Sequence, residues 1–430
     1  MALWICPVHA DEPSAVQTVY RAGVPHTTRH GARLTKYDPN SSFFPVAAWG
    51  VPQPCDVYGH VYDWHLLKEA GFNTVWPWPM PAADALEAAK KEGLQVVLMN
   101  ELDDATLQQI KDHPNLLGNV WMDEPIGKLG SVNMDELFGK FTAYKQNAAG
   151  IAPDLLVFVN DAPWIMPPAT DWWIKWNTAG DVSCHDNYPI WPVTQSIALG
   201  NGGTGPNGIP KTVSLAVQAN HESKPVWLIV SAFTAAGPPD ASFPFRHPTP
   251  QQLRAMVYSG IVHGATGIVY FIWDSYVSRD GGIIGMSPNP DVKYGAMKTT
   301  ATPMQLVAAK SLWDAASRIN AELNELTPSL LAPTTGPDVA YTVEATGPSK
   351  TPAPIRALLK PHPQDGYLLL TVNNDNAPLK AKITFPKPLK TVEPMFENRS
   401  PLPVQANSTQ FADDYEPFDV HVYHISLTEP

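Results

Sequence analysis

Asp123–Glu124–Pro125 places two carboxylates side by side at the end of the apolar run Leu116–Met122. Adjacent acids suit proton transfer, because the charge of one raises the pKa of the other and keeps a proton available near neutral pH. Pro125 has no N–H to give to a strand ladder, so pairing stops where the acids stand. The plain alternative is a helix cap, in which an acid in a first turn is stabilised by the helix dipole. Further acids at the ends of other apolar runs weigh against it. Asn100-Glu101 follows Gln95–Met99, Asn160-Asp161 follows Leu155–Val159, Asp186-Asn187-Tyr188 follows Asp181–His185, and Trp273-Asp274 follows Ile268–Ile272.

These runs belong to a repeating unit of a short apolar strand, a polar or aromatic loop and a helix-length amphipathic stretch. Eight strands can be placed: Phe44–Trp49, Asn73–Trp76, Gln95–Met99, Leu116–Met122, Leu155–Val159, Asp181–His185, Val226–Val230 and Ile268–Ile272. Near-continuous apolar strands are those of a parallel sheet covered on both faces. Helices are expected at Asp63–Glu69, Ala82–Glu92 closed by Gly93, Met134–Gln146, and from about Met304 to Leu326. Thr249-Pro-Gln-Gln252 reads as a capping box with proline at the first helical position. Eight such units without a glycine-rich phosphate loop predict an α/β fold, a closed (β/α)8 TIM barrel over residues 43–330. After Pro333 the pattern changes to alternating strands at Arg356–Lys360, Tyr367–Asn373, Lys380–Phe385 and Asp419–Ile425. Residues 333–430 are therefore expected to form a C-terminal antiparallel β-sandwich. Residues 1–42 are read as an N-terminal arm.

Bulk composition narrows the partners. The 430 residues carry 29 basic and 41 acidic side chains, a net charge of −12, and no basic block, which disfavours nucleic acid and anionic membrane surfaces. No apolar stretch approaches a transmembrane length. Charged residues are only 16% while tryptophan (14) and proline (45) are abundant, a profile that leans toward a secreted or periplasmic protein although Met1–Ala10 does not read as a signal peptide. Cys6 and Cys55 could pair, leaving Cys184 as a lone thiol, or all three could be reduced. No metal-binding spacing of the CxxC or HExxH type occurs, and no cofactor or metal is expected. Oligomeric state is not readable.

In barrels of this kind functional groups stand at the C-terminal ends of the strands. Those ends collect Trp49, Trp76, Trp78, Glu101, Asp123, Glu124, Asn160, Trp164, His185, Asp186, Tyr188, Trp273 and Asp274. Aromatic faces stack on the apolar side of sugar rings and carboxylates bind hydroxyls, so a carbohydrate is the expected ligand. Each tryptophan could equally fill the barrel core. His185 fits a packed strand-end histidine at least as well as a ligand. A serine hydrolase built on Ser231 lacks the flanking glycines of a nucleophile elbow. A zinc hydrolase would need clustered histidines, and His113, His185 and His263 are scattered.

Ala70-Gly-Phe-Asn-Thr-Val, Leu117-Gly-Asn-Val-Trp-Met-Asp-Glu-Pro and Gly264-Ala-Thr-Gly-Ile-Val-Tyr-Phe, with the closing β-domain, resemble a glycoside hydrolase of the clan A type. The resemblance implies that Glu124 is the general acid/base. The residue before it is usually asparagine and here is Asp123. Such enzymes place a nucleophilic glutamate at the end of strand seven, where this chain has Ser231-Ala232-Phe233; Glu222 precedes that strand and belongs to the opposite face. Three routes stay open. Asp186 or Asp274 supplies the second carboxylate, as nucleophile or as base for an inverting water. Alternatively the DEP motif, similar to that of the β-N-acetylgalactosaminidase family, works by substrate assistance, with Asp123 orienting the substrate's acetamido group and Glu124 as acid. In the third, the barrel binds a glycan without cleaving it. The segments 200–210 and 235–250 are expected to be long loops walling the site, and the sandwich, which has no tryptophan, to be accessory.

Overall fold

The computed structural model describes residues 19–25, 37–40, 42–52, 56–57, 60–61, 63–163, 168–191, 193–200, 207–235, 245–278, 281–287, 302–334 and 340–428. Eight parallel strands close into a barrel: β1 (Val46–Val51), β2 (Thr74–Pro77), β3 (Gln95–Met99), β4 (Leu116–Asp123), β5 (Leu156–Asn160), β6 (Ser183–Asn187), β7 (Val226–Ser231) and β8 (Gly267–Phe271). Each pairs with its sequence neighbours, and β1 closes the ring, with Ala47 opposite Thr74 of β2 and Val269 of β8.

Both faces of these strands are apolar because both are covered. Alternate residues such as Ala47, Trp49, Trp76, Val97, Phe158, Trp227, Ile229 and Val269 fill the interior. Their neighbours Val46, Ala48, Val96, Leu228 and Ile268 pack outward on the helices. One helix follows each strand: α1 (Trp64–Glu69), α2 (Ala82–Glu92), α3 (Asp104–Ile110), α4 (Met134–Ile151), α5 (Ala169–Ala179), α6 (Ile209–Ala219), α7 (Pro250–Val262) and α8 (Pro303–Leu331). Local chemistry sets their ends. Asp63 caps α1, left-handed Gly93 closes α2, and the reciprocal Thr249–Gln252 capping box opens α7. Among the described residues no helix is long and apolar enough to cross a membrane.

The C-terminal region is a sandwich of two antiparallel sheets. One is β9 (Thr342–Thr346), β12 (Leu379–Thr384) and β14 (Gln410–Tyr415), in the order β9-β12-β14. The other is β10 (Ile355–Pro361), β11 (Tyr367–Asn373), β13 (Leu389–Met395) and β15 (Val420–Leu427), in the order β10-β11-β15-β13. Leu369, Val392 and Ile425 meet Leu379, Ile383 and Phe411 between the sheets. Leu368, Leu370, Val372, Val420 and Val422, on the other face of the four-stranded sheet, join the outer core of the barrel. Arg254 of α7 binds Glu322 of α8 through Nε at 3.0 and 3.2 Å and donates from Nη1 to the Val420 carbonyl at 2.6 Å. Lys360 donates from Nζ to the Ala332 carbonyl at 2.8 Å and to Thr334 Oγ1 at 3.0 Å. The loop leaving β6 is tied to the same domain. Ser196 Oγ and Ile197 N donate to the Asn374 carbonyl at 2.8 and 2.9 Å, and Asn376 N donates to the Gln195 carbonyl at 2.8 Å.

Candidate active site

A cluster of carboxyls forms where β4, β5 and β6 end. The pairing of β4 with β5 shifts register between Val120 and Asp123, which sets Asp123 opposite Asn160. Such irregularities re-aim the side chains that follow them. Glu124 then adopts a left-handed backbone, φ 45° and ψ 57°, and opens a 3-10 turn at Pro125–Lys128. A non-glycine residue held there costs free energy, and such residues cluster at functional sites. Three bonds hold it. Glu124 N donates to the Asn160 carbonyl (2.9 Å), Gly127 N to the Glu124 carbonyl (3.0 Å), and Ile126 N to Asp161 Oδ1 (3.0 Å).

Asn160, 2% exposed, binds two acids with one amide. Its Nδ2 donates to Asp123 Oδ1 at 2.9 Å and to Asp186 Oδ1 at 3.0 Å. Asp186 stands within hydrogen-bonding reach of Glu124. The charges acting on these groups are largely one another's. Burial, then Glu124 and Asp123, push the Asp186 carboxyl well above the usual range. Burial and Asp123 raise Glu124, while the bond from Asp186 draws it back. Burial also raises Asp123, against the Asn160 bond. Asp123 and Glu124 are exposed by surface area, yet neighbouring chain crowds them enough for burial to lead the causes of their raised pKa values. Asp186, at 4% exposure, is the buried floor of the cluster. The arrangement favours the protonated form of each of these carboxyls over that of a free one.

Around this floor the rim residues divide. Tyr188, half-buried, stacks on Phe271 with ring centroids 5.7 Å apart and meets Phe233 and Phe245 edge-on at 5.2 and 5.9 Å. Burial, then Asp186, Glu124 and Asp123, hold its phenol protonated. Trp78 is half-buried beside a recess of about 220 Å³ that also involves Met80, Leu98, Met99 and Leu102. Gly50, at φ +73°, makes room for it: a Cβ there would lie 2.5 Å from Ile272 Cδ1 and 3.2 Å from Trp78 Cζ2.

Other expected ligand contacts are enclosed or engaged elsewhere, except that Glu101 is exposed. Trp76 is fully enclosed and Trp49 nearly so, 4.9 Å apart inside the barrel, because inward positions on narrow strands are filled by side chains. Trp273 is 2% exposed, and its backbone N–H donates to the Trp49 carbonyl. His185 points outward, its Nε2 3.1 Å from Thr212 Oγ1 and its ring edge-on to Trp173. Burial pushes its pKa down to about 3, so it stays neutral. Glu101 accepts from Trp121 Nε1 at 2.9 Å, and Trp121 packs on Phe141 and Trp176 in the helix layer rather than beside Glu124. Asp274 is buried in the segment after β8, with its carbonyl close against Gly285. The two residues before it, Ile272 and Trp273, accept through their carbonyls from Met286 N and Ser287 N. Ser231 turns its hydroxyl to Met256 of α7. Cys184 is a buried free thiol; Trp164, Cys6 and Cys55 lie outside the described residues.

Two contributors had no assigned role in the sequence, although Asp161 stood among the strand-end acids. Asp161, fully buried, braces the turn that follows Glu124, and its carboxyl is pushed well above the usual range, mainly by burial. Phe271 completes the aromatic wall. The sequence signal for Asp161 was its place beside Asn160, and for Phe271 the alternation of β8, which turns Val269 and Phe271 inward together.

Neither a protein-family model nor a curated protein sequence matches this chain. Solved structures do match in fold. A glycoside hydrolase aligns over 96% of this chain and 98% of its own at 12% identity, with a TM-score of 0.52. A glycoside hydrolase family 5 protein from Bacteroides vulgatus aligns over 95% of each chain at 13% identity, TM-score 0.50. An α-amylase from Geobacillus thermoleovorans, solved with acarbose, aligns over 90% of this chain and 99% of its own at 12% identity, TM-score 0.50. The chain thus has the fold of these hydrolases: a closed eight-stranded parallel barrel followed by a C-terminal β-domain.

Proposed function

We propose that this protein is a glycoside hydrolase in which Glu124 protonates the glycosidic oxygen. The observation that carries the reading is the bonded cluster of Asp123, Asn160, Glu124 and Asp186 at the C-terminal mouth of the barrel. Asp186 holds the proton that Glu124 needs, Glu124 passes it to the leaving oxygen as the bond to the anomeric carbon breaks, and water completes the hydrolysis. The aromatic wall of Tyr188, Phe233 and Phe271 offers a platform for a sugar ring.

The Glu124–Asp186 contact favours a finer reading. Retaining enzymes separate their two carboxyls by roughly 5–5.5 Å and inverting enzymes by roughly 6.5–9.5 Å, and a hydrogen-bonded pair is closer than either. Asp186 is therefore better suited to tune Glu124 than to attack carbon. The nucleophile then comes from Asp274 or from the substrate. Adjacent Asp123 and Glu124 suit the second, with Asp123 orienting a 2-acetamido group whose oxygen attacks the anomeric carbon.

Wild type and Glu124→Gln should be compared on aryl glycosides and glycans that include N-acetylhexosaminides, with the product anomer read by NMR. Turnover is expected in the wild type and a loss of about 10²–10⁴-fold in the variant. Activity confined to 2-acetamido sugars supports substrate assistance. Activity on sugars without that group, abolished by Asp274→Asn, supports a protein nucleophile. Equal activity of wild type and Glu124→Gln overturns the assignment of the acid, and glycan binding without turnover on any substrate overturns hydrolysis.

A further inference from the structure

The turn His362-Pro363-Gln364-Asp365-Gly366 joins β10 to β11 and lies against β15. His362 N closes it by donating to the Gly366 carbonyl at 3.2 Å. Gly366 sits at φ +67°, and a Cβ there would meet the Ile425 carbonyl oxygen at 2.4 Å and His424 Nε2 at 3.2 Å, so the turn reaches the strand only as glycine. This close approach brings the imidazoles of His362 and His424 to a centroid separation of 4.4 Å. Asp365 reaches both: its Oδ1 lies 3.8 Å from His362 Nδ1 and 3.5 Å from His424 Nε2.

The first spacing is too long for a hydrogen bond. His362 Nδ1 is shielded from solvent and has no hydrogen-bond partner, an orphaned donor or acceptor that normally demands an explanation. One donor atom from each of the three residues lies within 4.8 Å of the other two. Zinc binds imidazole nitrogen and carboxylate oxygen at about 2.0–2.2 Å, which places two tetrahedral ligands roughly 3.4 Å apart. The observed spacings need only a small closing movement around an ion. His424 Nε2 also lies 2.9 Å from the Asp365 carbonyl, a contact that an ion would take over.

We propose that His362, Asp365 and His424 form a divalent transition-metal site, with zinc the ion its ligands suit best, that staples the β10–β11 turn to β15. Two imidazoles and one carboxylate select zinc, copper or nickel over magnesium or calcium. Water completes the shell, and the ion's role is structural. The spacing escapes a motif search because its third ligand lies on a strand far along the chain.

The test is a titration of the chelator-stripped full chain with zinc chloride against a chromophoric zinc indicator, beside His424→Gln and Asp365→Asn. One zinc per chain is expected, with affinity weakened at least roughly tenfold in each variant and unaffected by magnesium. Zinc should raise the melting temperature of the wild type and not of the variants. Asp365 is on an exposed turn, so Asp365→Asn, checked by circular dichroism, keeps the test valid where a histidine variant fails to fold. No stoichiometric zinc on the wild type overturns the site. Equal affinity in wild type and Asp365→Asn also overturns it, assigning the ion to an adventitious surface group such as His65 with Glu69 and Glu92.

Discussion

Asp186 is the side chain whose protonation has the widest consequences. Folding raises its pKa, so the folded protein binds more protons than the unfolded chain between the ordinary carboxylate range near pH 4 and the raised value. Its contribution to stability is full below that window and is lost as pH rises through it. Asp186→Asn is therefore expected to melt higher than wild type at pH 7–8, by about 2–4 °C per kcal/mol of relief, and little differently at pH 4. The same substitution leaves Glu124 to hold the proton alone. With the bond from Asp186 that draws Glu124 down removed, the alkaline limb of kcat/KM should move to higher pH; an unmoved limb would show that Asp186 does not tune the proposed acid. The adjacent acids at a strand end were legible in the sequence, and Asp186 was expected beside Asp274 as a partner carboxylate. Which of the two stands against Glu124 was not legible, because contact between strands two apart depends on where each strand ends.

Among elements, the end of β5 has the largest influence on the site. Asn160 and Asp161 are neighbours facing different tasks, one gathering carboxyls and the other pinning the turn after Glu124. Asp161→Ala strands the Ile126 N–H, a loss of about 1–3 kcal/mol. Its kcat should fall by about 10–100-fold with KM changing less, since the displaced group is the proposed acid and not the proposed binding wall. A fall in melting temperature with kcat intact would make Asp161 purely structural. The eight strands and the Thr249 capping box were readable because burial on both faces and local capping leave marks in consecutive residues. The faces of single tryptophans were not. Trp76 points into the barrel and Trp121 into the helix layer, and one residue of register separates those outcomes. Polar β9 and β14 also escaped notice, because an alternation with exposed Glu344 or Asp414 nearby looks like loop.

Over the whole molecule, the seam between barrel and sandwich carries a buried cation. Lys360, 2% exposed, has its pKa depressed to about 7 by burial, with Glu222 opposing. Between that value and the ordinary lysine value the unfolded chain binds the extra proton, so stability rises with pH across the window. Wild type is expected to melt higher at pH 9 than at pH 7 from this group, and Lys360→Met to flatten that rise; an unchanged slope would place the proton elsewhere.

The bonds from Asn374 and Asn376 to the loop leaving β6 bear on modularity. That loop departs from the strand that carries Asp186, so a foreign sandwich grafted onto this barrel would alter the outline of the cleft as well as the seam. Substrate preference should travel with the junction at 374–376, and recombination between related chains should preserve function only when loop and appendage are inherited together.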